Sequence, residues 1–226
     1  MGFIQAVTVG GFTQYFYGTS LTAKTGLVVE RLLRDGPASS VFETANGRQI
    51  IKLIKPHTWH ERLKIHWRSG RLFEELRGIK LFNKLGLNTP EVLDYGRSLT
   101  VSGKYSSFYV MDNLSLQGYR EVADILKHDT TNSARRDLII KRFYEDLVVL
   151  RAHKIVYTDP HLSQVMVNED NQLCWLDIGF KRYPSDDKRF RLKFNQLIYR
   201  LLHNPFCKRT LNQNEIALFN SLMFPE

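Results

Sequence analysis

At 226 residues, 43% hydrophobic and 24% charged, the chain has the composition of a soluble globular protein, which excludes extended disorder. Two cysteines, Cys174 and Cys207, exclude a disulfide framework and a cysteine metal site, and their scarcity fits a reducing cytoplasm. Lys and Arg outnumber Asp and Glu by 32 to 23, a surplus of +9 that attracts anions without choosing among nucleic acid, an anionic membrane and a phosphorylated substrate.

Residues Met1 to Phe16 lack the charged start and apolar core of a signal peptide. No stretch approaches the about 18 apolar residues of a membrane span, so a soluble or at most peripheral protein is expected. The role of residues 1–24 is not legible. Phe12 to Tyr17 is aromatic and β-prone, after a Gly10-Gly11 turn. Leu27 to Leu33, Val41 to Thr44 and Arg48 to Ile54 read as a three-strand meander, its second turn marked by Asn46-Gly47. Leu72, Leu76, Ile79 and Phe82 then recur at helical spacing until Gly86.

Pro90 to Tyr95 and Phe108 to Met111 return to strand patterning, and Arg120 to Lys127 reads as a short helix followed by a polar loop from Asp129 to Ala134. The longest helix is expected from Arg135 to His153, with Leu138, Phe143, Leu147 and Leu150 buried. Val165 to Val167 and Leu173 to Leu176 flank a turn at Asn168 to Asn171, with Trp175 most simply in the core. Phe190 to Leu202 and Glu215 to Met223 close the chain as helices. The expected organisation is one α+β domain over residues 1–226. Its first lobe, about 1–111, is β-rich with one helix, and its second, about 115–226, is mainly helical.

The residues that carry chemistry lie in two segments. Tyr157-Thr158-Asp159-Pro160-His161-Leu162-Ser163-Gln164 is followed, across the short hairpin, by Leu176-Asp177-Ile178-Gly179. Either aspartate alone reads as a turn residue at a strand end. Together they resemble the catalytic loop and metal-binding segment of protein-kinase-like enzymes. Asp159 and Gln164 keep the five-residue offset of catalytic Asp and metal-binding amide, and Asp177 follows Asp159 by 18 residues. A tight hairpin between them would return the chain and bring both carboxylates to one end. Magnesium prefers such hard oxygen ligands. His161, inside the loop, is expected to fix its geometry by hydrogen bonding.

That resemblance also implies a phosphate-contacting lysine on the third strand and an acidic helix residue to hold it. Lys52, in Ile50-Ile51-Lys52, suits the first role, with Lys55 as rival at the strand's end. At 100° per residue, Glu75 flanks the stripe of Leu72, Leu76 and Ile79, whereas Glu74 points nearly the opposite way. A solvated Glu75 is the alternative. Backbone groups from Met111 to Leu114 would bind adenine. The turn from Asp35 to Ser40 is the candidate phosphate cover, although it contains only Gly36 and no G-x-G-x-x-G pattern.

Asp159-Pro160-His161, Gly47-Arg48 before Lys52, and Leu85-Gly86-Leu87 before Pro90 narrow the resemblance to the lipopolysaccharide core kinases, and within them to the small inner-core heptose kinases. The similarity runs from about Leu27 to Leu202. It implies a two-lobed protein-kinase-like fold and ATP- and Mg2+-dependent phosphorylation of a heptose hydroxyl at the cytoplasmic side of the inner membrane. Asp159 would be catalytic, Asp177 and Gln164 would bind metal, and Lys52, Glu75, Met111 and Leu114 would serve the nucleotide. A minimal protein kinase and a non-catalytic binding module are the rival readings.

Three departures stand out. Gln164 replaces the usual Asn, shifting the amide by ~1.5 Å. Tyr157 and Thr158 replace the His-Arg pair of protein kinases, which removes the partner of a phosphorylated activation loop. Only Phe180 to Asp187 separates Asp177 from the next helix, too little for a peptide platform, which favours a glycan substrate.

Arg48 to Arg71 holds Lys52, Lys55, Arg62, Lys64, Arg68 and Arg71 against Glu61, with Trp59 and Trp67 interleaved. Such a segment suits phosphate-rich glycolipid or anionic lipid headgroups, or equally a solvated helix. No nucleic-acid motif accompanies it. A second cluster, Lys181, Arg182, Lys188, Arg189, Arg191 and Lys193, would border the acceptor side, diluted by Asp186 and Asp187. His57, His60 and His66 lack the companions of a zinc site.

Overall fold

The computed structural model describes residues 3–18, 27–67, 69–128 and 133–225, with the side chains of Phe3, His66, Ser133 and Phe206 excepted. Arg68, the His66 side chain, residues 129–132 of the expected polar loop, and residues 1–2 and 19–26 lie outside the description. The chain divides into two compact units, one of residues 1–76 and 90–116, the other of residues 77–89 and 117–226.

The first unit begins with a hairpin of β1 (Phe3–Val9) and β2 (Phe12–Gly18). Val9 pairs with Phe12, so Gly10 and Gly11 form a two-residue turn, with φ of 53° and 80° that only glycine adopts freely. The meander follows as β3 (Leu27–Asp35), β4 (Ser39–Thr44) and β5 (Gln49–Ile54). Helix α1 (Trp59–Lys64) starts at a Thr58 cap and runs into a 3-10 turn, Ile65–Trp67. Helix α2 (Arg71–Lys84) contributes its residues up to Leu76 to this unit, and β6 (Val92–Ser98) and β7 (Ser107–Asp112) complete the sheet.

The strand order is β1-β2-β6-β7-β5-β4-β3, closed into a barrel by parallel pairing of β1 with β3, Val7 opposite Leu27. This overturns the expected α+β, two-lobed protein-kinase-like fold with a small β-rich N-lobe and a mainly helical C-lobe. The difference arises at β1, which the hydrophobic pattern does not reveal. Gln5 is buried while Ile4 is exposed, the inverse of ordinary alternation. Gln5 donates to buried Asp94 on β6, and Gln14 on β2 donates to Ser98 Oγ at 2.9 Å and Tyr105 O at 2.7 Å. The barrel thus closes over buried amides, and hydrogen bonds at both ends of the Gln14 amide offset its desolvation.

Along β5, Ile51 and Leu53 point into the barrel with Phe16 and Phe108, whose rings meet edge to face at 5.0 Å. By the two-residue period of a strand, Ile50, Lys52 and Ile54 face outward. Ile54 joins Leu72 and Tyr109 in a separate cluster, against which Leu76 and Met111 pack.

The second unit contains the rest of α2, which stops at a glycine cap: Gly86 has φ of 78°, and Leu87 N and Gly86 N donate to Phe82 O and Asn83 O. Then come β8 (Arg120–Glu121), α3 (Val122–His128), α4 (Ser133–Ala152) and β9 (Ile155–Tyr157). A 3-10 turn (Leu162–Gln164) leads into β10 (Val165–Val167), β11 (Leu173–Trp175) and β12 (Phe180–Arg182). Helices α5 (Lys188–His203), α6 (Pro205–Thr210) and α7 (Gln213–Asn220) end the unit. Trp175 is the centre of its core, stacked on Phe143 at 5.2 Å and edge-on to Tyr157 at 5.3 Å. Arg136 and Glu215 form a bidentate buried pair, 2.6 and 2.8 Å, and Arg136 also donates to the Leu126 and Thr210 carbonyls. One guanidinium therefore ties α4 to the ends of α3 and α6 and to the start of α7.

Candidate functional site

In the first unit the outward face of β5 delivers Lys52 to helix α2. Its Nζ lies 2.9 Å from Glu75 Oε2, and the two residues are only 4% and 7% exposed. Glu74, one position earlier, is exposed, because the helix turns it away from the cluster of Leu72 and Tyr109. Lys52 also lies 5.7 Å from the Tyr109 ring centroid. Burying such a pair costs desolvation that the mutual attraction barely repays, so its presence points to a use other than stability.

Lys55 is engaged elsewhere. It bonds Asp35 Oδ1 at 2.5 Å and Gly36 O at 2.9 Å, while Ser40 Oγ donates to the same Asp35 oxygen at 2.6 Å. The Lys55 and Ser40 hydrogen bonds hold the exposed Asp35 carboxyl below its ordinary pKa. The candidate phosphate-covering turn is therefore clamped at its base, and Arg71 Nη1 reaches Ala38 O within it.

Met111 pairs with Ile50 in the ladder, and Leu114 opens a 3-10 turn, Leu114–Gln117. Buried Asn113 between them was not anticipated. Its Nδ2 donates to Gly47 O at 2.9 Å and Glu43 Oε1 at 3.0 Å, and its N donates to Arg48 O. The segment from Met111 to Leu114 is thus fastened to the β4–β5 turn. Nothing local in the sequence distinguishes this Asn from a surface one, because its partners lie 66 and 70 residues away.

In the second unit, β9 and β12 pair antiparallel with Tyr157 opposite Phe180, and Thr158 N donates to Gly179 O at 2.9 Å. The chain leaves one end of this ladder toward Asp159 and enters the same end from Asp177. Gln164 arrives there as well, since Leu176 N donates to Gln164 O at 2.8 Å, beyond the Val165–Trp175 pair. Asp159, Gln164 and Asp177 therefore leave the backbone within one or two residues of directly bonded positions. Asp159 is largely exposed; Gln164 is buried.

Local chemistry holds this arrangement. Asp177 adopts φ of 49°, a left-handed conformation uncommon for residues other than glycine and stored most often at functional sites. Gly179 N donates to Asp177 O at 2.9 Å, and a Cβ on Gly179 would sit 2.3 Å from Thr158 Oγ1, so only glycine fits. The Tyr157 hydroxyl donates to Leu176 O at 3.0 Å, bracing the strand end just before Asp177. His161 Nδ1 meets Ser163 Oγ at 2.5 Å, and its Nε2 lies 3.7 Å from Asp159 Oδ2.

Gly78 was also missed. On helix α2 it faces Ile178, where a Cβ would lie 2.4 Å from the carbonyl oxygen. A lone glycine inside a helical pattern is the one signal that could have found it.

The basic segments are more engaged than their charge suggests. Arg62 donates to the Val101 and Gly103 carbonyls, Arg191 pairs with Asp186 at 3.0 Å, and Asp187 caps α5 through Phe190 N. His57 and His60 are exposed, and no group of three His, Cys, Asp or Glu fit to hold a metal occurs among the described residues. Asp177 and Gln164 together are a sparse, all-oxygen donor set. That fits magnesium, which keeps most of its shell for water and substrate phosphates, and does not fit a structural zinc. No helix of the described residues is long and apolar enough to cross a membrane.

No protein-family model matches the chain, and no curated protein does. Among solved structures the chain is similar to WaaP in complex with acyl carrier protein, at 13% identity over 84% of this chain and 77% of that one, with a TM-score of 0.58. The fold is WaaP-like; at this identity the likeness is one of fold.

Proposed function

We propose that the protein is an ATP-dependent kinase that phosphorylates a heptose hydroxyl of the lipopolysaccharide inner core. The observation that carries this reading is the delivery of Asp159, Gln164 and Asp177 to one end of the β9–β12 ladder, with Asp177 held in a strained conformation. The motifs around these residues resemble lipopolysaccharide core kinases, and the WaaP-like fold supports a relationship of that kind.

In this reading Asp177 and the Gln164 amide would hold the metal, and Lys52, oriented by Glu75, would position the α/β-phosphates. Backbone groups from Met111 to Leu114 take adenine, kept in place by Asn113. Asp159 orients the sugar hydroxyl and accepts its proton as the new O–P bond forms and the bond from the γ-phosphorus to the departing ADP oxygen breaks. ATP with magnesium supplies the transferable phosphoryl group and neutralises charge on it. The residues act mainly by positioning and by preorganised charge. The short Phe180 to Asp187 segment favours a glycan over a peptide as acceptor. Mass spectrometry of lipopolysaccharide from cells with and without the protein tests the substrate: loss of one core phosphate on deletion is expected, and an unchanged core would overturn it.

A further inference from the structure

We infer that one surface of the first unit, formed by helix α1 and the loop between β6 and β7, docks on an anionic lipid bilayer. This inference stands apart from the kinase reading. Trp59 is 61% and Trp67 73% exposed, and Leu99 and Val101 of the loop are exposed as well. Indole rings left in water in this way mark an interaction surface, and they are the side chains that lodge best at the boundary between headgroups and acyl chains.

The two segments are far apart in the chain but fastened together. Arg62 Nη1 donates to Val101 O at 2.7 Å and to Gly103 O at 2.5 Å. Trp59 lies one helical turn before Arg62, so the two leave α1 on the same side. Helix α1 has no buried residue of its own, so core packing does not account for it.

Charge selects the occupant. Exposed Lys64 forms no ion pair among the described residues, and exposed Lys104 shares the field of Asp35 with Lys55. The nearby acids are engaged, Glu61 with His57 N and Asp35 with Lys55 and Ser40. Lys52, Arg62 and Arg71 are turned to partners within the unit. What remains outward is an apolar, aromatic surface beside Lys64 and beside Arg62, whose carbonyl partners leave its charge uncompensated. A bilayer interface satisfies both features at once, whereas a soluble polyanion would leave the indoles unmatched.

The test uses the full chain without nucleotide. Vesicles of phosphatidylcholine alone, and of phosphatidylcholine with phosphatidylglycerol, are sedimented with wild type and with Trp59→Ser/Val101→Ser, both positions being exposed and a thermal melt checking that the variant is folded. Wild type should bind the anionic vesicles with a blue shift of tryptophan emission. The double variant should bind about tenfold or more weakly. No binding to anionic vesicles, or equal binding by both proteins, would overturn the inference. So would a wild-type dimer that the double variant converts to monomer, since a second copy would then occupy the surface.

Discussion

Gly78 and Ile178 approach so closely that a single added methyl on the helix would lie 2.4 Å from the Ile178 carbonyl oxygen. The residue in contact is the one immediately after Asp177, so helix α2 acts as a wall against which the Asp177 segment is set. An exposed mid-helix glycine would gain about 1 kcal/mol on replacement by alanine. Here Gly78→Ala is expected to destabilise instead, by ~1–3 kcal/mol, because backbone cannot yield as a side chain can. Urea unfolding measures this, and a stabilised variant would show that the contact does not matter.

The Lys52–Glu75 pair separates stability from activity. Lys52→Met leaves a buried carboxylate uncompensated and should cost roughly 3–5 kcal/mol. Adding Glu75→Leu should recover most of that loss, since a well-packed apolar pair is often as stable as a buried ionic one. Phosphotransfer should stay absent in both. Denaturant melts alongside kinase assays decide it: activity restored in the double variant would remove Lys52 from the mechanism.

Asp177→Asn should be nearly neutral for folding, because Asn tolerates the left-handed conformation as well as Asp does. Its effect belongs to chemistry, with kcat expected to fall by ~10²-fold or more as the metal loses its carboxylate. A thermal melt and a steady-state assay on the same preparation check both halves.

Asp146 gives a pH dependence that is independent of function. Burial raises its carboxyl pKa from 3.8 to about 6, against the lowering effect of the Trp175 Nε1 hydrogen bond at 2.6 Å. A raised acid favours folding in its protonated form, so the stability it supports is complete below pH 3.8 and lost as pH rises through about 6. The difference is on the order of 3 kcal/mol at most. Asp146→Asn keeps an acceptor for the indole and should be the more stable protein near pH 8, with a flatter profile between about pH 4 and pH 6. Equal stability of the two proteins at both ends of that range would contradict the assignment.

Legibility followed locality. Glu75 was separable from Glu74 by helix geometry alone, and the Gly10-Gly11, Asn46-Gly47 and Gly86 signals sit at turns or caps in the structure. Strand β1 was not legible, because buried Gln5 shares its inward face with Val7, Ile4 faces outward, and its closing partner β3 is reached by a parallel, non-local pairing. The fold class was misread at that point. Strands β9 and β12 are three residues each, too short to show a period, and α1 buries nothing that could form a stripe. Asn113 and Gly78 depend on partners distant in the chain, so their roles appear only in three dimensions.

The most direct measurement is phosphoryl transfer by the purified protein from labelled ATP, with magnesium, to a dephosphorylated inner-core glycolipid. The account predicts label on the heptose, lost in Asp159→Asn and Asp177→Asn. Robust labelling of protein with none on the glycolipid, or glycolipid labelling that survives both substitutions, would contradict it.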